Sequence, residues 1–304
     1  MHCFGCSRVG KRICASSAFA VSLMAFLQSP HATAAGISYA AHVVSMSRGQ
    51  GAVFARMDGR NSDWIARVAF AHGRGRADFV SGQSVLRAGD HLLFDSADAV
   101  VVHDSTKTYT IISRNYLARL QQPGLSVVVR NVKSTLDTLG TAPLGARSTT
   151  RIRLSQTYET ALVLAEEVTD AASDLPRIET DSKVEYWLTH IDGLPADAVS
   201  PRTDLPALAP GRVLAEHAIR QGAAALLPRN SIALMIVANT RTSMTTDGSA
   251  LTTVDTTTVS DVRPTDVDLS RLVIPPGFTE IGPPGLRPRA AGAPDPAAKW
   301  RDIP

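Results

Sequence analysis

The segment IALMIVANTRTSMTTDGSALTTVDTTTV, residues 232–259, decides the fold class of this chain. An apolar run over residues 232–238 leads into polar residues that end at Asp247-Gly248, and a Thr-rich run returns over residues 251–259. β-Branched residues are enriched in strands, and an Asp-Gly pair between two such runs is a strong hairpin signal, because both positions of a two-residue hairpin turn need positive φ. The sequence therefore predicts an antiparallel hairpin that turns at Asp247-Gly248.

The same alternation of apolar and polar residues recurs along the chain. Ile37, Tyr39 and Ala41 share one face of a predicted strand, and residues 52–57 and 64–71 flank Asp58-Gly59 as two strands of a hairpin with a longer loop. Further strands are predicted at residues 75–80, 91–95, 99–103, 108–112, 151–154, 162–164 and 184–188. We therefore predict a mainly β fold built as an antiparallel meander.

Helical signals are few. Ser113 is a candidate N-cap for a helix over residues 114–121, and an apolar stripe over residues 212–221 ends at Gly222. Residues 194–227 interrupt the strand pattern, so we predict a helical or loop insertion there.

The first 35 residues have the three-part layout of a bacterial signal peptide. A basic region around Lys11 precedes an apolar run over residues 13–27, and small residues suited to cleavage follow at 32–35. The apolar run is shorter than the ~20 residues that a membrane span needs. All three cysteines lie in this segment, so no disulfide and no stable membrane anchor are expected in the mature chain. We predict export to the periplasm.

The rest of the chain is predicted to be one antiparallel β domain over residues 36–281, followed by a flexible tail at 282–304 that is rich in Pro, Gly and Ala. Its hydrophobic content of 44% is typical of a globular protein. The formal net charge is +3 and no block of like charges is present, which argues against a nucleic-acid partner.

The sequence carries none of the common catalytic motifs, such as G-x-S-x-G, H-E-x-x-H or a P-loop. His103-Asp104 is an adjacent pair, but neighbouring residues of a strand point to opposite faces, which favours a strand end over a catalytic pair. His42, His72, His91 and His103 lie on different predicted strands without the spacing of a metal-ligand set. We therefore expect no catalytic residue, no metal site and no cofactor.

Four segments carry a resemblance to known proteins: RAD at 76–78, AGDHLLFD at 88–95, DSTKTY at 104–109 and IPPGF at 274–278. Together they resemble a family of uncharacterised exported bacterial proteins that is similar to the periplasmic outer-membrane lipoprotein carriers. The resemblance implies a strongly curved antiparallel sheet, or half-barrel, whose concave apolar side is covered by a few short helices. It also implies a lipid or lipoprotein cargo and no catalytic residue.

The predicted function is non-catalytic binding or carriage of a lipid or another hydrophobic ligand. An apolar concave face suits acyl chains, since each buried CH₂ contributes ~0.8 kcal/mol. The candidate lining residues are aromatic and lie on predicted strands: Trp64, Phe70, Phe94, Tyr109, Tyr186 and Trp187.

Two alternatives remain open. The chain is an envelope interaction or sensor protein if the Thr-rich run at residues 252–258 forms an exposed edge that pairs with a partner strand. It is a hydrolase of an unrecognised β class if two carboxyl groups stand ~5 to 10 Å apart in a cleft, as glycoside chemistry requires. The candidate carboxylates are Asp78, Asp90, Asp95 and Glu185.

Overall fold

The computed structural model describes residues 32–82, 87–95, 99–112, 125–164, 177–191, 231–281 and 297–302. The strands, in chain order, are β1 (Thr33–Gln50), β2 (Ser62–Ala71), β3 (Arg74–Ser81), β4 (His91–Phe94), β5 (Ala99–His103), β6 (Thr108–Ile112), β7 (Leu125–Leu144), β8 (Arg147–Leu164), β9 (Arg177–Thr189), β10 (Ile232–Met244), β11 (Ala250–Asp268) and β12 (Thr279–Glu280). Helical elements within these residues are the four-residue α1 (Gly51–Phe54) and 3₁₀ turns at Ala55–Met57, Leu269–Leu272 and Ala298–Trp300.

The twelve strands form one sheet in the order β12-β6-β5-β4-β3-β2-β1-β11-β10-β9-β8-β7. Every described pair is antiparallel except β12–β6, which is parallel. The sheet is not closed into a barrel, because β12 and β7 stand at its two ends. The prediction of a mainly β fold with one large antiparallel sheet is therefore confirmed.

Alternating burial explains why these residues form strands. In β1, Ile37, Tyr39 and Ala41 are buried, and we call the side of the sheet that they occupy the inner face and the opposite side the outer face. The main inner cluster joins residues of β1–β5, β10 and β11, and Leu144 near the end of β7 packs against it. Since β7 lies three strands from β10, about 14 Å in a flat sheet, this contact requires strong curvature.

The predicted strand at residues 52–57 is wrong. This segment is helical, with α1 followed directly by a 3₁₀ turn, and it connects β1 to β2. Gly51 has a φ of 81°, which ends the strand, and a Cβ there would lie 2.3 Å from the Ser249 hydroxyl oxygen. Val53 is 49% exposed, so the apolar residues of this segment do not form the buried face of a strand.

The hairpin at residues 232–259 is confirmed as β10 and β11, but its turn differs from the prediction. Residues 245–248 form a four-residue loop, closed by the Met244 N–H donating to the Ser249 carbonyl over 2.8 Å. Of the Asp247-Gly248 pair, Gly248 has a positive φ, at 69°. The Asp247 carboxylate instead accepts the Ser249 N–H at 2.8 Å, which is an Asx-type turn contact.

Strand β7 was not predicted from the sequence. From Arg130 onward its side chains are half-buried or exposed, and Gly140 and Pro143 interrupt the alternation. The pairing with β8 shifts register between Arg130 and Lys133 and again between Thr138 and Gly140. β7 is an end strand of the sheet, so it has no second strand to impose an apolar pattern.

A flexible tail was predicted over residues 282–304, and this prediction is wrong for residues 297–302, which the structure describes. Residues 297–302 pack on the outer face of β4–β6, where Trp300 is fully buried. The Ile274 N–H donates to the Trp300 carbonyl over 2.6 Å, and Lys299 pairs with Asp95 at 2.5 Å. The physical reason is the Trp side chain, whose burial outweighs the flexibility of a Pro- and Gly-rich segment.

Several predictions fall outside the described residues. They are residues 1–31 of the signal peptide predicted over residues 1–35, the helices at 114–121 and 212–221, the insertion at 194–227 and the tail at 282–296. The predicted boundary at residue 35 differs from the structure, in which β1 already begins at Thr33 and Ala34 is buried against Val267 and Leu272.

Candidate functional site

The inner face of β2–β4 carries a group of four aromatic rings. Trp64 meets Phe79 edge-on, with ring centroids 5.4 Å apart, and Phe70 lies 6.2 Å from Phe94. Gly75 stands opposite Phe94, and a Cβ there would lie 2.2 Å from the ring, so only glycine leaves room for it. Three of the six predicted lining residues are thus brought together: Trp64, Phe70 and Phe94. Phe79, which lies beside Trp64, was not predicted from the sequence.

Tyr109 does not line the inner face. It is buried in the outer cluster of β4–β6 beside Trp300 and Ile274. Its hydroxyl accepts a hydrogen bond from the Arg301 guanidinium at 3.1 Å. This cluster is covered by the C-terminal segment, which places Tyr109 in a structural core.

Tyr186 and Trp187 lie on opposite faces of β9, as neighbouring residues of a strand must. Tyr186 belongs to a second inner cluster with Ile152, Leu154 and Ile236. Trp187 lies on the outer face, where the Arg151 guanidinium stands 4.9 Å from its ring centroid. Trp187 is therefore not a lining residue of the inner face.

The second inner cluster is bordered by a row of uncharged polar residues that runs across six strands. Strand pairing aligns one residue from each of the neighbouring strands β1, β11, β10, β9, β8 and β7. In that order the residues are Ser47, Thr253, Thr240, Ser182, Gln156 and Ser134. We call this row the polar band. The Ser182 and Thr240 hydroxyls lie 3.1 Å apart, and the Gln156 amide donates to Ser134 at 3.0 Å. The polar band was not predicted from the sequence, because it exists only through the register of strand pairing.

Charged side chains of the same strands lie on the outer face. Glu185 accepts hydrogen bonds from Arg151 at 2.8 Å and from Arg153 at 2.6 and 3.0 Å. These bonds, from Arg153 first and Arg151 second, lower the pKa of Glu185 below its ordinary value. A carboxyl group with a lowered pKa is a poor general acid.

The other candidate carboxylates are also held in ion pairs or hydrogen bonds. Asp78 pairs with Arg76 at 2.6 Å and with Arg271 at 2.8 Å. Asp95 pairs with Lys299 as described above. The hydrolase alternative thus gains no support from Asp78, Asp95 or Glu185.

The ends of β4 and β5 carry two crossed His–Asp pairs. His91 Nδ1 lies 3.0 Å from an Asp104 carboxylate oxygen, and His103 Nδ1 lies 3.0 Å from an Asp90 oxygen. His91 is 1% exposed, and its Nε2 has no hydrogen-bond partner in the part of the chain that the structure describes. Burial lowers the pKa of His91, and the Arg76 guanidinium lowers it further.

These pairs could have been found from the sequence. Asp90-His91 and His103-Asp104 are mirror-image dipeptides at the facing ends of two strands, and antiparallel pairing brings such dipeptides together. Among the described residues no three His, Cys, Asp or Glu side chains are arranged to hold a metal ion. The four residues form two hydrogen-bonded pairs that run from the buried Asp90 and His91 to the half-buried His103 and the exposed Asp104.

The Thr-rich run at residues 252–258 is not an edge. β11 pairs with β1 on one side and with β10 on the other over this whole run, so its backbone is already occupied. The interaction alternative would need another edge. At the β7 end, Lys133, Pro143 and two bulges are features that oppose the addition of a strand.

Comparison with known proteins assigns no family to this chain. No protein-family model and no curated protein matches it. A solved structure from Thermus thermophilus, described as an uncharacterized conserved protein, is 9% identical over 81% of this chain and 90% of its own, with a TM-score of 0.34. A likeness at that level carries no argument. No helix within the described ranges is long and apolar enough to cross a membrane.

Proposed function

We propose that this protein binds and carries a lipid or another hydrophobic ligand in the bacterial cell envelope, with the inner face of the sheet as the binding surface. The observation that carries the proposal is the apolar inner face of a strongly curved, open sheet. The predicted signal peptide supports the envelope location.

Two neighbouring regions of the inner face would hold the ligand. The first is the aromatic group, in which Trp64 and Phe94 are only half-buried and stand at its margin. The second is the cluster around Tyr186, whose margin is formed by half-buried Leu136 and Val184. Half-buried apolar side chains at the margin of a cluster can gain burial from a ligand, at about 25 cal/mol per Å² of apolar surface removed from water.

Mass spectrometry of an organic extract tests this proposal. The full chain is expressed in a bacterial host, purified from the envelope fraction without detergent, and extracted beside a Trp64→Gln variant. We expect about one lipid molecule per protein in the unmodified chain and less than about a tenth of that in the variant, because glutamine places a polar group on the apolar surface.

Ile65→Gln is the matched control. Ile65 neighbours Trp64 in β2 but lies on the outer face and is 39% exposed, so the control should retain the lipid. Circular dichroism verifies that both variants are folded. A lipid-free unmodified chain, or equal lipid in both variants, would contradict the proposal.

A further inference from the structure

On the inner face, strands β10, β9, β8 and β7 form three successive rows of side chains, of which the first two are mainly apolar and the third is polar. One row contains Ile236, Tyr186 and Ile152, and the next contains Ala238, Val184, Leu154 and Leu136. The third row is the polar band. Neighbouring rows on one face lie about 7 Å apart, so an extended molecule that follows the strands passes from apolar side chains to hydroxyl and amide groups.

Charge is distributed unequally between the two faces in these rows. Of the described residues from the Ile152 row to the polar band, one inner-face residue is an Asp, Glu, Lys, Arg or His: Asp255, which accepts a hydrogen bond from Ser45. The cationic side chains of the same strand segments lie on the outer face: Arg48, Lys133, Arg151, Arg153, Lys183 and Arg241. An anionic group on the inner face would lose its hydration beside Asp255 without gaining a cation, which is costly.

The polar band has free hydrogen-bonding capacity for an uncharged ligand. Five of its six residues are half-buried, and Gln156 is 8% exposed. A hydroxyl group has one donor and two acceptor positions, and an amide has more. The Ser182–Thr240 and Gln156–Ser134 contacts use only part of this capacity.

We propose that the ligand is an amphiphile with an uncharged, hydroxyl-rich head group. Its apolar chain lies on the Tyr186 and Val184 rows, the first of which continues across β11 and β1 to Trp64. Its head group forms hydrogen bonds with the polar band. This inference rests on the proposed function and narrows it to one ligand class.

Isothermal titration of the full chain with three amphiphiles of equal chain length tests the head group. The probes are monolauroylglycerol, dodecyl phosphate and dodecyltrimethylammonium, each below its micelle concentration. We expect monolauroylglycerol to bind at least about tenfold more tightly than either charged probe. The phosphate head group would lie beside Asp255 without a cation, and the trimethylammonium head group has neither a donor nor an acceptor for the hydroxyl and amide groups of the polar band. Equal or tighter binding of a charged probe would overturn the inference.

A double variant, Thr240→Val with Thr253→Val, tests the polar band itself. These residues are directly paired, and valine keeps their shape while removing both hydroxyls. We expect monolauroylglycerol to bind about threefold to tenfold more weakly, while an uncharged apolar probe, N-phenyl-1-naphthylamine, binds unchanged. Thr252→Val is the matched control, since Thr252 precedes Thr253 in β11 and lies on the outer face. An equal loss in this control would overturn the inference.

The two proposals fail in different ways. If neither N-phenyl-1-naphthylamine nor any amphiphile binds the full chain, both the proposed function and the head-group inference are wrong. If the apolar probe binds but dodecyl phosphate matches monolauroylglycerol, the inner face is a hydrophobic site without the proposed head-group preference, and only the inference fails.

Discussion

At the scale of single residues, buried polar groups gather where β4 begins and β5 ends. Asp90 is 4% exposed and also accepts the Arg87 N–H at 3.0 Å. His91 is more deeply buried and receives opposing influences from Arg76, which lowers its pKa, and from Asp104 and Asp78, which raise it. Burial is the largest of these influences, so the imidazole is held neutral.

The lowered pKa of His91 predicts a loss of stability at mildly acidic pH. The unfolded chain takes up this proton as the pH falls through the ordinary value of 6.5, while the folded chain resists it. The unfolded state then binds more protons, so the contribution of His91 is complete above that pH and declines below it. We expect the free energy of unfolding by urea to be lower at about pH 5.5 than at about pH 7.5.

A His91→Gln variant should show a smaller difference between the two pH values, because the titrating group is absent. His42→Gln is the control, since His42 is exposed, and it should keep the difference. Identical pH dependence in the unmodified chain and His91→Gln would refute the assignment to His91.

At the scale of elements, the turn between β10 and β11 depends on one backbone conformation. Gly248 has a φ of 69°, a region that costs residues with a Cβ about 1–2 kcal/mol. We therefore expect Gly248→Ala to lower the free energy of unfolding by about 1–2 kcal/mol, measured by urea unfolding.

Gly248→Asn should cost less than Gly248→Ala, because asparagine visits this conformation more readily. A Cβ at this position meets no atom within 4 Å, so a steric clash does not explain the expected loss. Equal effects of alanine and asparagine would count against the backbone explanation.

At the scale of the whole molecule, the C-terminal segment covers the outer face that the long strands leave open. The turn at Leu269–Leu272 covers Ala34 and Ala71, and residues 297–302 cover β4–β6 through Trp300. Arg74 and Lys299 both lie within 5.5 Å of the Trp300 ring centroid. The C-terminal segment thus completes two clusters on the outer face, one over β1 and β2 and one over β4–β6.

Removal of the Trp300 side chain should therefore destabilise the whole protein. We expect Trp300→Ala to lower the free energy of unfolding by about 3–5 kcal/mol, as for other large buried aromatic residues. Trp300→Phe should cost less, because it keeps a ring and the indole N–H has no partner among the described residues. An alanine variant as stable as the unmodified chain would show that this segment is dispensable for folding.

The sequence by itself determined the β fold and most of its strands, because alternation with period two is a local property. It identified β4, β5, β6 and the β10–β11 hairpin closely, and it found Trp64, Phe70 and Phe94 on one face. It failed at residues 52–57, where the apolar residues belong to an exposed helical segment. It also failed at β7, which pairs with a strand on one side only and shows little alternation of apolar and polar residues.

Only the tertiary structure decided which residues share a surface. The polar band joins six strands through register, and register depends on bulges such as the shift between Ala233 and Met235, which no local pattern reveals. The same holds for the crossed His–Asp pairs, for the central position of β11 and for the burial of Trp300. These features depend on contacts between residues far apart in the chain, and strand periodicity gives the face of each strand but not its neighbour.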